Sequence, residues 1–206
     1  MNSFNLPQNC QVNRVVPKKA FITQSPQSKK SFNNIEKIRW LYKLSPSTLH
    51  IPKEGKIEEV QIFSLTLKTK EQPKDAIKAI KKLVPYPILF KIDYKESFCY
   101  ATYLIDEERY FFSPWGKELE FTFGATNLEK LYESIVMKFL NDNLLITPQT
   151  NLKDAIERSY RAEVLTKEIE ALKKKIDREK QFKKRLELSR VLKPKEEELR
   201  KMKQLF

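Results

Sequence analysis

ILFKIDY (residues 88–94), SFCYATYLI (97–105) and RYFFS (109–113) decide the fold class. Aromatic and β-branched residues dominate each run, and the charged turns Lys95-Glu96 and Asp106-Glu107-Glu108 separate them. Short runs of this kind, broken by polar turns, predict three consecutive antiparallel strands. On the N-terminal side, EEVQIFSLTLK (58–68) alternates Val60, Ile62, Ser64 and Thr66 with the more apolar Gln61, Phe63, Leu65 and Leu67, which predicts a further strand. Between it and the triplet, Ala76, Ile77, Ile80, Leu83 and Val84 recur at helical spacing until Pro85 and Pro87 end the pattern.

On the C-terminal side, Ser113-Pro114-Trp115-Gly116 reads as a turn, LEFTF (119–123) as another strand, and Leu128 to Leu140 as an apolar-striped helix capped by Thr126 or Asn127. In front, Ile35, Ile38, Leu41, Tyr42 and Leu44 recur at helical spacing, with Ser31 or Asn33 as cap; the helix they predict ends near Leu44, because Pro46 disfavours α geometry at Ser45. The expected fold is therefore α+β: a small, mostly antiparallel sheet with flanking helices packed on one face, over residues 31–149. Residues 1–30 are polar, with Pro7, Pro17 and Pro26, and read as a basic N-terminal arm ordered by docking.

From Asn151 to about Leu192 no glycine or proline interrupts a Lys/Glu/Leu-rich sequence. One helix of some 40 residues, ~60 Å long, is expected over this stretch of a C-terminal segment 150–206, with a break near Pro194. Leu165, Ile169, Leu172 and Ile176 keep coiled-coil spacing, Glu179 and Lys183 interrupt it, and Leu186 restores it. With Phe182 these form the apolar set offered to a partner, either another protein or a second copy of the chain. Leu199, Met202 and Leu205 mark a last amphipathic turn.

Charge is distributed unevenly. Residues 1–50 hold eight Lys/Arg against one acid, residues 51–149 fourteen against fifteen, and residues 150–206 eighteen against eleven. A near-neutral centre with basic ends points to a folded core whose extremities meet a polyanion, since clustered cations gain counterion-release energy on phosphate backbones. The candidates are Arg14, Lys18, Lys19, Lys29, Lys30, Lys37, Arg39 and Lys43 in front, and Lys173, Lys174, Lys175, Arg178, Lys180, Lys183, Lys184 and Arg185 behind. The competing interpretation of the second group is a solvated helix face balanced by Glu168, Glu170 and Glu179.

Catalytic signatures are sparse. Two cysteines (Cys10, Cys99) and one histidine (His50) cannot assemble a four-ligand zinc site or a disulfide framework within one chain. Gly55, Gly116 and Gly124 stand apart, so no phosphate cradle forms, and no cofactor is expected. Glu54-Gly55-Lys56 has the E-x-K shape of restriction-type nucleases but lacks an upstream acidic ligand outside the segment around Glu36. Asp106-Glu107-Glu108 reads as a solvated turn and His50 as a surface histidine. No run approaches the roughly 18 apolar residues a membrane span needs, and a cytoplasmic location is expected.

The blocks IEKIRWLYKLSPSTLHI (35–51), VQIFSLTLK (60–68), VPYPILFKI (84–92) and REKQFKKRLELS (178–189) resemble an uncharacterised prokaryotic family, number 4391 of the domain-of-unknown-function series. The resemblance maps Trp40, Lys43, Leu44, Ser45 and Pro46 onto one family block, Pro85, Tyr86 and Pro87 onto another, and Gln181, Phe182, Lys183 and Glu187 onto the last, all as packing residues. It implies genes placed beside DNA methyltransferases and helicases of type III restriction-like or antiphage defence systems, and hence an accessory role there. The expected function is a non-catalytic adaptor that docks a methyltransferase or helicase subunit through its C-terminal helix and touches DNA through its basic surfaces. A self-associating coiled-coil protein and a divergent metal-dependent nuclease are the alternatives.

Overall fold

The computed structural model describes residues 4–22, 26–141 and 149–203. The chain divides into two compact units, Met1–Phe139 and Leu140–Phe206.

The first unit is built on a six-stranded sheet. Its strands are β1 (Gln11–Val16), β2 (Ile35–Leu44), β3 (Val60–Leu67), β4 (Ile88–Tyr94), β5 (Ser97–Tyr103) and β6 (Tyr110–Phe112), lying side by side in chain order. The expected meander from β4 to β6 is antiparallel throughout, with Phe90 opposite Ala101 and Ala101 opposite Phe112. β3 and β4 run parallel, because helix α3 (Lys74–Leu83) supplies the crossover such a pair needs.

The helix expected over 35–44 is strand β2 instead. Two register irregularities, between Ile35 and Lys37 and between Trp40 and Tyr42, insert extra residues into the ladder. Its buried residues are therefore Ile35, Ile38, Tyr42 and Leu44, spaced like the inward face of a helix although the backbone is extended. Pairing with β1 on one side and β3 on the other decides the conformation. The segment read as an arm likewise belongs to the body: β1 is the sheet's edge, and Phe4, Leu6, Cys10 and Phe21 are buried.

Both faces of the sheet are covered, rather than one. On the first, α3 buries Ala76, Ile77 and Ile80 in a core with Ile38, Phe63, Leu65, Phe90, Cys99 and Ala101. Phe21 stacks on Phe32 at its margin (6.3 Å), next to helix α1 (Pro26–Ser31). On the second face Ile62, Leu89, Tyr100 and Thr102 are equally buried. There Phe4 meets Tyr42 (5.8 Å) and Tyr100 (6.2 Å), while Phe121 contacts Tyr100 (5.1 Å) and Phe139 (6.1 Å), the latter on helix α4 (Leu128–Asn141). Burial on two sides is why the central strands read as continuous apolar runs. No strand forms at 119–123; Phe121 serves as a covering ring.

The second unit is a helical hairpin. Helix α5 (Leu152–Arg178) starts at Asn151, whose side chain accepts the Asp154 N–H at 2.9 Å, and helix α6 (Phe182–Lys203) packs back along it. The single long helix is thus broken at Glu179–Gln181, where Glu179 is extended and its carboxylate accepts the Gln181 N–H at 2.9 Å. Pro194, the expected break, lies inside α6 on an exposed position. Folding back allows ion pairs that one straight helix could not make: Arg161–Glu198 (2.7 Å), Glu168–Lys195 (2.7 Å) and Lys173–Glu196 (2.8 Å). Leu188, Leu192, Leu199 and Met202 are half-buried at seam spacing along α6, complementing the stripe of α5. Leu205, assigned to the last amphipathic turn, lies outside the described residues.

Candidate nucleic-acid interface

The hairpin turn converts a dispersed basic sequence into a localised one. On a straight helix residues 173–185 would extend ~18 Å, with their charges fanned around the axis; folding at 179–181 halves that length and doubles the cations at each level. The tip so formed holds Lys173, Lys174, Lys175 and Arg178 on the end of α5, Lys180 in the turn, and Lys183, Lys184 and Arg185 on the start of α6. Asp177 and Glu179 are the acids within this stretch, and Glu187 follows just after it.

Most of the hairpin's ion pairs among the described residues lie away from the tip. Glu168, one of the acids expected to balance the basic face, pairs with Lys195, and Glu196, Glu197 and Glu198 pair with Lys173, Lys201 and Arg161. Among the described residues Lys173 is therefore the tip cation with an ion-pair partner, and Lys174, Lys175, Arg178, Lys180, Lys183, Lys184 and Arg185 are exposed without one. The backbone sharpens this. Lys175 and Arg178 complement the negative end of α5, but the first turn of α6 contains no acid, and Lys183, Lys184 and Arg185 stand against its positive end. That arrangement opposes the helix dipole and raises local potential, so an anion docking there relieves repulsion that the protein itself leaves uncompensated.

The front cations are arranged differently. Lys18 donates to the Ile35 carbonyl (2.9 Å), Arg39 to the Asn13 side chain (2.9 Å), and Lys43 pairs with Glu59 (2.7 Å), a contact that raises the lysine above its ordinary range. These three are occupied in holding β1, β2 and the start of β3. Arg14, Lys19, Lys29, Lys30 and Lys37 are exposed. They do not form one stripe: Lys29 and Lys30 ride on α1, beside α3, whereas Lys37 and Arg39 alternate with Ile38 and so face the opposite side of the sheet.

The apolar residues proposed to bind a partner separate into two groups. Leu165 and Ile169 are buried and Leu172 and Ile176 half-buried in the chain as folded. Phe182 (80% exposed) and Leu186 (43%) remain on the surface, at the basic tip.

The other candidate motifs have local structural partners or none. Lys56 of the E-x-K segment donates its backbone N–H to Glu129 (2.8 Å), which lies against Gly55. Glu108 pairs with Lys78 (2.9 Å), and that lysine holds its carboxyl below the usual range. His50 is an exposed left-handed residue ending a short helix at Pro46–Leu49. Both cysteines are buried, and desolvation pushes the Cys99 thiol up to about 12. Among the described residues there is no cluster of three or more His, Cys, Asp or Glu able to hold a metal, and no helix long and apolar enough to cross a membrane.

What the linear reading missed is the turn. Its signal is present only indirectly, in the seam that fails at Glu179 and Lys183 and resumes out of phase in α6. No curated protein and no solved structure matches the chain. A family model does match, over residues 4–199, and so takes in the sheet, the hairpin and the basic tip together. The chain belongs to the DUF4391 family, a domain of unknown function.

Proposed function

We propose that this protein is a non-catalytic accessory subunit that binds nucleic acid through the tip of its C-terminal hairpin. The observation that carries this is the excess of cations at the turn: among the described residues Lys173 is the one tip cation held in an ion pair, with Glu196, and seven further tip cations are exposed without one. A solvated, self-balanced helix face would interleave its charges. A tip that concentrates cations against a helix N-terminus suits a phosphate backbone, where each neutralised phosphate releases counterions.

The family resemblance extends this to an adaptor in a DNA-modification, restriction or antiphage defence complex, alongside a methyltransferase or helicase subunit. Leu165 and Ile169, expected to face a partner or a second copy, are buried in the chain as folded, which leaves Phe182 and Leu186 as the exposed members of that set. Recovery of the tagged full chain from its host, with and without nuclease treatment, tests this. Co-purification of a methyltransferase or helicase subunit, together with nucleic acid lost on charge reversal at the tip, supports it; a lone, nucleic-acid-free protein after crosslinking contradicts it.

A further inference from the structure

Phosphate binding leaves one feature of the tip unexplained. Phe182 opens α6 and is 80% exposed, and Leu186, one turn on and on the same side of the helix, is 43% exposed. Lys183 and Arg185 flank them on the helix surface, and Arg178 and Lys180 precede them in the exposed turn. The ligand that fits an apolar ring embedded among cations must present negative charge and flat apolar faces at neighbouring positions. Duplex DNA offers phosphates but hides its base faces within the stack. An unpaired strand offers both, and aromatic side chains flanked by cations are the usual platform for it.

Resting on the nucleic-acid function proposed above, we propose that Phe182 stacks on an unpaired base, so that the tip prefers single-stranded nucleic acid to duplex. The lysines and arginines on either side take the flanking phosphates, and Leu186 packs against the neighbouring sugar or base edge.

The test uses the full chain and fluorescence anisotropy with a labelled 20-nucleotide single strand of mixed sequence and a duplex of the same sequence. The wild type is expected to bind the single strand more tightly. Phe182→Ala should weaken single-strand binding roughly ten-fold, the scale of one lost base stack, while leaving duplex affinity and the salt slope unchanged. Phe182→Tyr should retain the preference. Because the ring is exposed, neither change threatens folding. The inference is overturned if Phe182→Ala leaves single-strand affinity intact, if it weakens both ligands equally, or if the wild type favours duplex. It is also overturned if that variant loses binding only to anionic phospholipid vesicles. Failure of the wild type to bind either oligonucleotide at low salt removes the nucleic-acid function altogether, which separates the two outcomes.

Discussion

Arg161 and Glu198, thirty-seven positions apart, meet in a two-point ion pair, with Nε donating to Oε1 at 2.7 Å and Nη2 to Oε2 at 3.0 Å. The pair joins α5 to α6 and fixes the register in which the hairpin closes, and so places Lys173–Arg178 opposite Lys183–Arg185.

The pair makes hairpin stability pH-dependent in a defined direction. Arg161 holds the Glu198 carboxyl below its ordinary value of 4.5. A carboxylate depressed on folding contributes stability that is fully present above the unfolded value and disappears as pH falls through the folded one. Glu198→Gln should therefore lower the helical melting temperature at pH 7, with wild type and variant converging as the pH drops below that range. Circular dichroism melts across pH 3–7 measure this, and a difference that persists unchanged at the acid end would refute the assignment.

Gly55 should be costlier to replace than Gly116, because a side chain there must displace Glu129 from the Lys56 N–H as well as adopt a positive φ. It has φ +85°, and an added Cβ would sit 2.6 Å from the Glu129 side chain that receives the Lys56 N–H. Gly116, with φ +78° and open space around it, is the internal control. Gly116→Ala should cost about 1 kcal/mol of conformational strain, and Gly55→Ala more, about 2 kcal/mol or above, in denaturant unfolding.

Tyr132 anchors the loop after β5. Its hydroxyl donates to the Tyr103 carbonyl (2.7 Å) and accepts the Ile105 N–H (3.2 Å). Tyr132→Phe leaves a buried acceptor without its partner and should cost about 1–3 kcal/mol, with amide exchange of Ile105 accelerated most. Exchange that rises evenly over β5 and β6 would show that the hydroxyl has no such local role.

How much of this was legible in the sequence depended on whether tertiary structure respected the local period. β4, β5 and β6 follow uninterrupted aromatic and β-branched runs between charged turns, and those strands form where the pattern places them. β2 was misread because its two bulges shift the buried set from a period of two to spacings of three and four. β1 was missed because an edge strand with a bulge next to Asn13 buries little and therefore carries little apolar signal. At the tip, the identities of the cations were readable from Lys173 to Arg185, but their convergence was not. Glycine or proline usually marks a helix reversal, and here Glu179, Lys180 and Gln181 make it, favoured by ion pairs formed only after the chain has turned back.

Burial also sets the chemistry of the thiols. With Cys99 pushed up to about 12 and Cys10 raised by desolvation, little thiolate is present at pH 8. Both should react with a thiol reagent at the rate of local or global unfolding, and fully only in denaturant. Rapid stoichiometric labelling of Cys99 in the native protein would contradict its place under α3.

The salt dependence of duplex DNA affinity tests the central claim most directly, using a variant with Lys183, Lys184 and Arg185 all changed to Glu. Acids in the first turn of α6 complement the helix dipole, so the variant should keep its helical content and thermal stability. Any loss of binding then reports lost contacts rather than unfolding. If the tip neutralises phosphates, affinity should fall for every sequence tested, and the slope of log affinity against log salt should flatten by roughly 0.9 for each contact removed. An unchanged affinity and an unchanged slope in a folded variant would contradict the account.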